Sequence, residues 1–178
     1  LAGHPDFRGY VTNLSGPVAN FYGHDGSEIP EDPAPHLELL RQARRVDGVD
    51  AVFVSSEVRH DGLLSDEGVE YVRELCEHHT RGQLALCPAH LEGEVLRLMN
   101  RPEQEVYEQF LQRVRRMQQD TGQPESISQL IMTAHPGCTH RHMVDLVEEL
   151  QRPEQPRARA CDFYPAPLTT SACMFHTA

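Results

Sequence analysis

Five short runs of β-branched and aliphatic residues, each separated from the next by a stretch with apolar residues at helical spacing, constrain this chain more than any other feature. The runs fall at 10–14, 49–54, 84–87, 127–132 and 160–164. From the second onward their starts lie 33 to 43 residues apart, the length of a strand, a loop, a helix and a return loop. Strands spaced in this way pair in parallel through right-handed crossovers. The pattern therefore predicts an α/β fold of five parallel strands with helices outside.

The stretches between the runs carry Leu37, Leu40 and Ala43; Val69, Val72, Leu75, Cys76 and His79; Val106, Phe110, Leu111, Val114 and Met117; and Met143, Leu146, Val147 and Leu150. Each set marks one face of a helix. Asp66 and Thr139 are candidate N-caps, Pro102 and Glu103 suit a first turn, and Gly82 and Gly122 lie just past the expected C-termini. Residues 23–35, crowded with Gly, Pro and acid, read as a surface loop, and 151–159 as a second irregular connection.

The 178 residues, 39% hydrophobic and 24% charged, suit one domain with a sizeable core. With 27 acidic against 16 basic residues the net charge is -11, which disfavours a nucleic-acid footprint or an anionic membrane and points to small or uncharged partners. Every basic residue is arginine, so a Schiff-base lysine and a P-loop lysine are both excluded. Five scattered cysteines without a CxxC pair argue against a disulfide scaffold. There is no apolar run near membrane-spanning length and no leader pattern, so a cytoplasmic location is expected. The chain starts at Leu1 rather than Met and reads as a processed or incomplete product.

Parallel α/β folds bind ligands beyond the carboxyl ends of their strands. Ser15-Gly16-Pro17 follows the first run, Ser55-Ser56-Glu57-Val58-Arg59-His60 the second, Pro88-Ala89-His90 the third and Thr133-Ala134-His135-Pro136-Gly137-Cys138 the fourth. The fifth leads into Phe163-Tyr164-Pro165-Ala166-Pro167. Loops after strands are polar as a matter of course. Five such turns in a row favour a site at one rim.

These strings also carry a resemblance. His4-Pro5-Asp6-Phe7-Arg8-Gly9-Tyr10, Gly16-Pro17-Val18-Ala19-Asn20-Phe21-Tyr22, Glu74-Leu75-Cys76-Glu77-His78-His79, Ala134-His135-Pro136-Gly137 and Phe163-Tyr164-Pro165-Ala166-Pro167 resemble, in this order, the YgiQ-type (UPF0313) radical S-adenosylmethionine (SAM) proteins. The closing Met174-Phe175-His176-Thr177 resembles that family's MYxT. The resemblance runs over nearly the whole chain. It implies an incomplete (β/α) barrel in which residues 1–178 supply the second to sixth strands, with a [4Fe-4S] cluster and SAM as cofactors. Reductive cleavage of SAM would yield a radical that abstracts hydrogen from an unknown substrate, the protein positioning the cofactor and excluding water.

Residue by residue, Ser15, Gly16 and Pro17 stand where the family has GGP, a turn expected to meet the amino end of SAM through backbone carbonyls. Ser56 and Arg59 lie in a tip resembling SGVRYD and would face ribose or substrate. His90 matches the histidine of APEH, and His135 that of AHPG. Phe163 and Tyr164 belong to the FYPxP string, where an adenine could stack or hydrogen-bond.

The departures are as specific. The CxxxCxxC loop that holds the cluster has no counterpart here, and the cysteines present lie 11 to 51 residues apart, so this chain alone is not expected to hold a cluster or to be active. The loop at 23–35 replaces a cysteine-rich insert. Ser15, Glu57 and Ala89 replace a glycine, a glycine and a glutamate of the family strings. A Glu57 carboxylate beside that of SAM is repulsive unless Arg59 compensates.

Two other classes compete. One is a non-catalytic remnant or interaction scaffold of the same fold, motivated by the missing loop together with Glu57 and Ala89. The other is a His/Cys metal-binding protein, since His135, Cys138, His140 and His142 lie close together, and Cys76, His78, His79, Cys87 and His90 form a second loose group. Their spacing matches no standard finger, and surface and cap histidines explain them more simply. Cys76 fits its helix's apolar stripe and reads as core. No metal ligand is therefore assigned. No GxSxG elbow supports a serine hydrolase, and the acidic run 28–32 lacks calcium-loop spacing.

Overall fold

The structure is a computed structural model that describes residues 2–23, 32–122 and 127–177. Most of the expected surface loop, and of the acidic run within it, lies outside the described residues.

The strands are β1 (Tyr10–Val11), β2 (Ala51–Val52), β3 (Leu84–Ala89), β4 (Ile127–Thr133) and β5 (Arg157–Asp162). β1 pairs with β2, and β3, β4 and β5 pair in that order, all in parallel. The β1–β2 pairing continues past its ladder, with Leu14 N–H donating to Phe53 O at 2.9 Å. Higher up, Val18 bridges Glu57, and Val58 bridges Leu86. Val58 N–H donates to Ala85 O at 2.8 Å and accepts from Cys87 N–H at 2.9 Å, so one residue joins the two ladders into a single parallel order, β1 to β5. Among the described residues no pairing returns from β5 to β1, and the arc is open.

Below Val58 a side chain stands between β2 and β3. His79 Nδ1–H donates to Val52 O at 2.7 Å, and the His79 carbonyl accepts from Val54 N–H at 2.9 Å. His79 ends a wide turn, Leu75–His79, that follows α2 (Asp66–Glu74). Register also slips between Leu86 and Ala89, where Pro88 has no N–H to give the ladder.

The remaining helices are α1 (Ala34–Arg44), α3 (Gly93–Leu98), α4 (Gln104–Thr121), α5 (His140–Leu150) and α6 (Thr170–Thr177). Thr139 caps α5 in a reciprocal box with His142, and Gly122 ends α4 in the left-handed conformation, both as expected. Ser65 rather than Asp66 caps α2, accepting from Gly68 N–H at 3.1 Å, which leaves Asp66 in the first turn to complement the helix dipole. Glu103 stands at the N-cap position of α4 instead of lying inside it.

Residues paired in register share a face of the sheet. Ile127, Gln129 and Ile131 are buried beneath α4, where the Tyr107 hydroxyl donates to Gln129 Oε1 at 3.0 Å. Ile127 and Ile131 pack with Val58, Leu86, Phe110, Leu111 and Val114 in one core. The opposite face carries Ser128, Leu130 and Met132, in register with Arg157, Arg159 and Cys161.

The last strand departs from expectation. The apolar pattern predicts it at 160–164, with 151–159 irregular; it occupies Arg157–Asp162 and is almost wholly exposed. β5 has only β4 as a neighbour, so its side chains need not be apolar, and charged arginines suit an exposed edge. On α5, Val147 is exposed for the same want of an outer neighbour, and Leu146 alone is buried.

Candidate functional site at the strand ends

At the ends of β1 and β2 the Ser15 hydroxyl lies 2.8 Å from Asn13 Oδ1 and 2.9 Å from Ser56 Oγ. Ser56 donates to Gly16 O at 2.7 Å, and Asn13 Oδ1 also accepts from Ser55 N–H at 2.9 Å. Ser15, Gly16 and Ser56 are thus brought together, with Asn13 as the clamp between the strands. Pro17 follows them at the surface.

Arg59 is held on every side. Its guanidinium forks onto the Asp61 carboxylate, with Nε 2.8 Å from Oδ1, and lies 5.1 Å from the centre of the Phe21 ring. Asn20, nearly inaccessible, accepts from Arg59 N–H at 3.0 Å and donates to Arg59 O at 3.1 Å. Burial alone would raise the Asp61 carboxyl, but the Arg59 fork holds it below its ordinary range. Arg59 therefore does not compensate Glu57. Arg159 does, its Nη2 lying 2.7 Å from Glu57 Oε1 across the sheet face opposite α4.

His90 and His135 end β3 and β4 as a related pair. Neither is a surface histidine: both are buried. His90 Nδ1 accepts from Glu92 N–H at 3.0 Å, which leaves the proton on Nε2, a buried donor with no partner among the described residues. Burial pushes His90 down to about 4. His135 Nδ1–H donates to Pro136 O at 2.8 Å, and its Nε2 accepts from the Ser171 hydroxyl at 2.7 Å. Burial lowers its pKa too. Phe163 meets His135 edge-on, with ring centres 5.2 Å apart. Tyr164, in contrast, is 79% exposed and joins none of these groups.

Arg101 was not anticipated. It arrives from the turn after α3, half-buried, and its Nη1 makes a long 3.4 Å hydrogen bond to Cys87 O. Cys87 lies in the field of Arg101, Glu57 and Arg59, yet burial raises its thiol, as it does that of Cys161. Asn13, Asn20, Arg101 and Ser171 act through contacts distant in sequence, which no local spacing announces, whereas Asp61 lies two residues from Arg59 in the same tip string.

The proposed metal clusters do not assemble: among the described residues, no three His, Cys, Asp or Glu side chains are placed to hold an ion. His142 is spent on the α5 cap and on Glu94, 3.1 Å away. Cys76 packs against the core as read, and burial raises it to about 11.

No protein-family model matches the chain. A UPF0313 protein of Methanosarcina mazei is 34% identical over an alignment that covers 99% of this chain and 31% of the relative. One of Clostridium botulinum is 30% identical, covering 97% of this chain and 30% of itself. A third, of Clostridium perfringens, is 31% identical, with 98% and 29% covered. The chain spans less than a third of the length of these curated relatives.

Proposed function

Because this chain belongs to the UPF0313 family along nearly its whole length, we propose that it is part of a radical SAM enzyme, with β1 to β5 as the second to sixth strands of an open (β/α) barrel. One observation carries the reading. The strands run parallel in chain order, and Ser15, Gly16, Ser56, Arg59, His90, His135 and Phe163 all stand at their carboxyl ends, where such folds bind ligands.

The SAM donor set fits. Gly16 O accepts one hydrogen bond from Ser56, and a carbonyl has a second lone pair for an ammonium group. Ser15 and Ser56 hold that turn and would order the amino end of the ligand. His90 keeps an unsatisfied Nε2–H at the same rim, a donor for a ligand acceptor. When bound beside a cluster, SAM supplies a hydrogen-abstracting radical. The cluster itself does not fit this chain, whose described cysteines are dispersed.

SAM and an unidentified small substrate are the proposed partners, with no nucleic acid or membrane partner and a cytoplasmic setting. Among the described residues no helix is long and apolar enough to cross a membrane.

The second reading, a non-catalytic scaffold, draws on Arg59 and Glu57 being engaged by Asp61 and Arg159. Anaerobic reconstitution of the longer protein decides between the two. Release of 5′-deoxyadenosine on reduction supports the enzyme; an upstream sequence without a CxxxCxxC loop overturns it.

A further inference from the structure

The face of the sheet away from the helices carries a charge opposite to that of the chain. Arg157 and Arg159 stand on it, in register with Ser128 and Leu130, while the molecule as a whole has a net charge of -11. Arg157 is exposed and has no ion pair among the described residues. Arg159 has one partner, Glu57, 102 residues earlier in the chain. Two further arginines border the face near Cys87: Arg59, forked onto Asp61, and Arg101, whose guanidinium reaches the Cys87 carbonyl. Four guanidinium groups are thus set against two carboxylates.

The Glu57–Arg159 contact also reports shape. Val58 and Leu86 pair on the helix side, which puts Glu57 on the same face as Arg159, with β3 and β4 between them. Side chains that stand off a sheet meet across three strand spacings only if the sheet curls toward them. The ion pair therefore lies inside the concavity, and both of its members remain reachable, with side-chain exposures of 24% and 56%.

We propose that this concave face binds an anionic group, carboxylate or phosphate, of the substrate through Arg157 and Arg159, with Glu57 as the internal carboxylate that the ligand displaces. Naming the ligand a substrate rests on the enzyme reading above; the anion site does not. Two guanidinium groups on one face present planar forks that match carboxylate and phosphate oxygens. Glu57 holds Arg159 in place until a ligand with more than one acceptor oxygen replaces it.

The test is pyrophosphate binding to this chain by calorimetry, with SAM as competitor. Glu57→Gln should tighten pyrophosphate severalfold, because the internal competitor loses its charge. Arg159→Gln should weaken it about tenfold, and Arg157→Gln by a smaller factor. Arg159→Lys, which keeps the charge without the fork, should fall between Arg159→Gln and the unmodified chain. Pyrophosphate affinity unchanged in both Glu57→Gln and Arg159→Gln overturns the site. Displacement of pyrophosphate by equimolar SAM would give the anion site to SAM's own carboxylate and overturn the substrate assignment. SAM binding that fails in the reconstituted longer protein, while pyrophosphate still responds to the variants, counts against the enzyme reading alone.

Discussion

Ala89 and Ala134 share a left-handed backbone, with φ of 71° and 57°, each one residue before a buried histidine at the end of adjacent strands. An L-residue there is strained by about 1–2 kcal/mol, and the strain turns His90 and His135 away from the strand direction.

Ala134→Gly removes the strain but loosens the unfolded chain, so its stability should stay within about 1 kcal/mol of the parent. Ala134→Val places a β-branched residue in the same conformation and should cost more than about 2 kcal/mol. Urea unfolding of the two variants measures the difference. Equal losses would mean that the backbone conformation does not set the cost.

Stability should fall with pH across the range where buried histidines resist protonation. His60 lies in the core against Tyr107 with both ring nitrogens unpartnered among the described residues, and burial pushes it, like His90, down to about 4. Between pH 6.5 and about 4 the unfolded chain takes up protons that the native chain refuses. The contribution is complete above pH 6.5 and is lost on acidification, up to about 3 kcal/mol per ring. His60→Phe should flatten the stability-pH curve and raise stability at pH 5; chemical denaturation at several pH values tests both outcomes.

Gly68 gives a prediction whose sign depends on packing. It lies in the first turn of α2, where replacing Gly by Ala ordinarily stabilises a helix by about 1 kcal/mol. Here a Cβ would lie 2.5 Å from the Leu63 backbone. Gly68→Ala should therefore lower the melting temperature, with a loss of about 2 kcal/mol or more.

Removing the Ser56 hydroxyl should cost about 1 kcal/mol, since it takes away the bond to Gly16 O and the contact with Ser15. In the longer reconstituted protein, Ser56→Ala should weaken SAM more than Ser55→Ala, whose hydroxyl is committed to Thr12 O. Equal effects on SAM affinity would remove Ser56 from the binding turn.

The alternation of short strands and amphipathic helices was legible because the helices α1, α2, α4 and α5 are long enough to display a period. α3 has six residues, too few to repeat a face, and it was not anticipated. β5 was set three residues late because an exposed edge strand has no apolar signature. At the site, the strand-end position of His90 and His135 could be read from the strings that follow the runs, but their burial could not. For His135 the covering groups include Ser171 and Phe163, which meet it only in the folded chain. The partner of Glu57 was likewise hidden by a separation of 102 residues.

Val58 gives the sheet a seam. Among the described residues two backbone hydrogen bonds, at 2.8 and 2.9 Å, tie β1 and β2 to β3, β4 and β5. Beneath them, an imidazole closes the gap where a full ladder would run. With so few bonds across it the seam is the weakest line in the sheet, and the amides of Val58 and Cys87 should exchange with solvent earlier than those in the middle of β4.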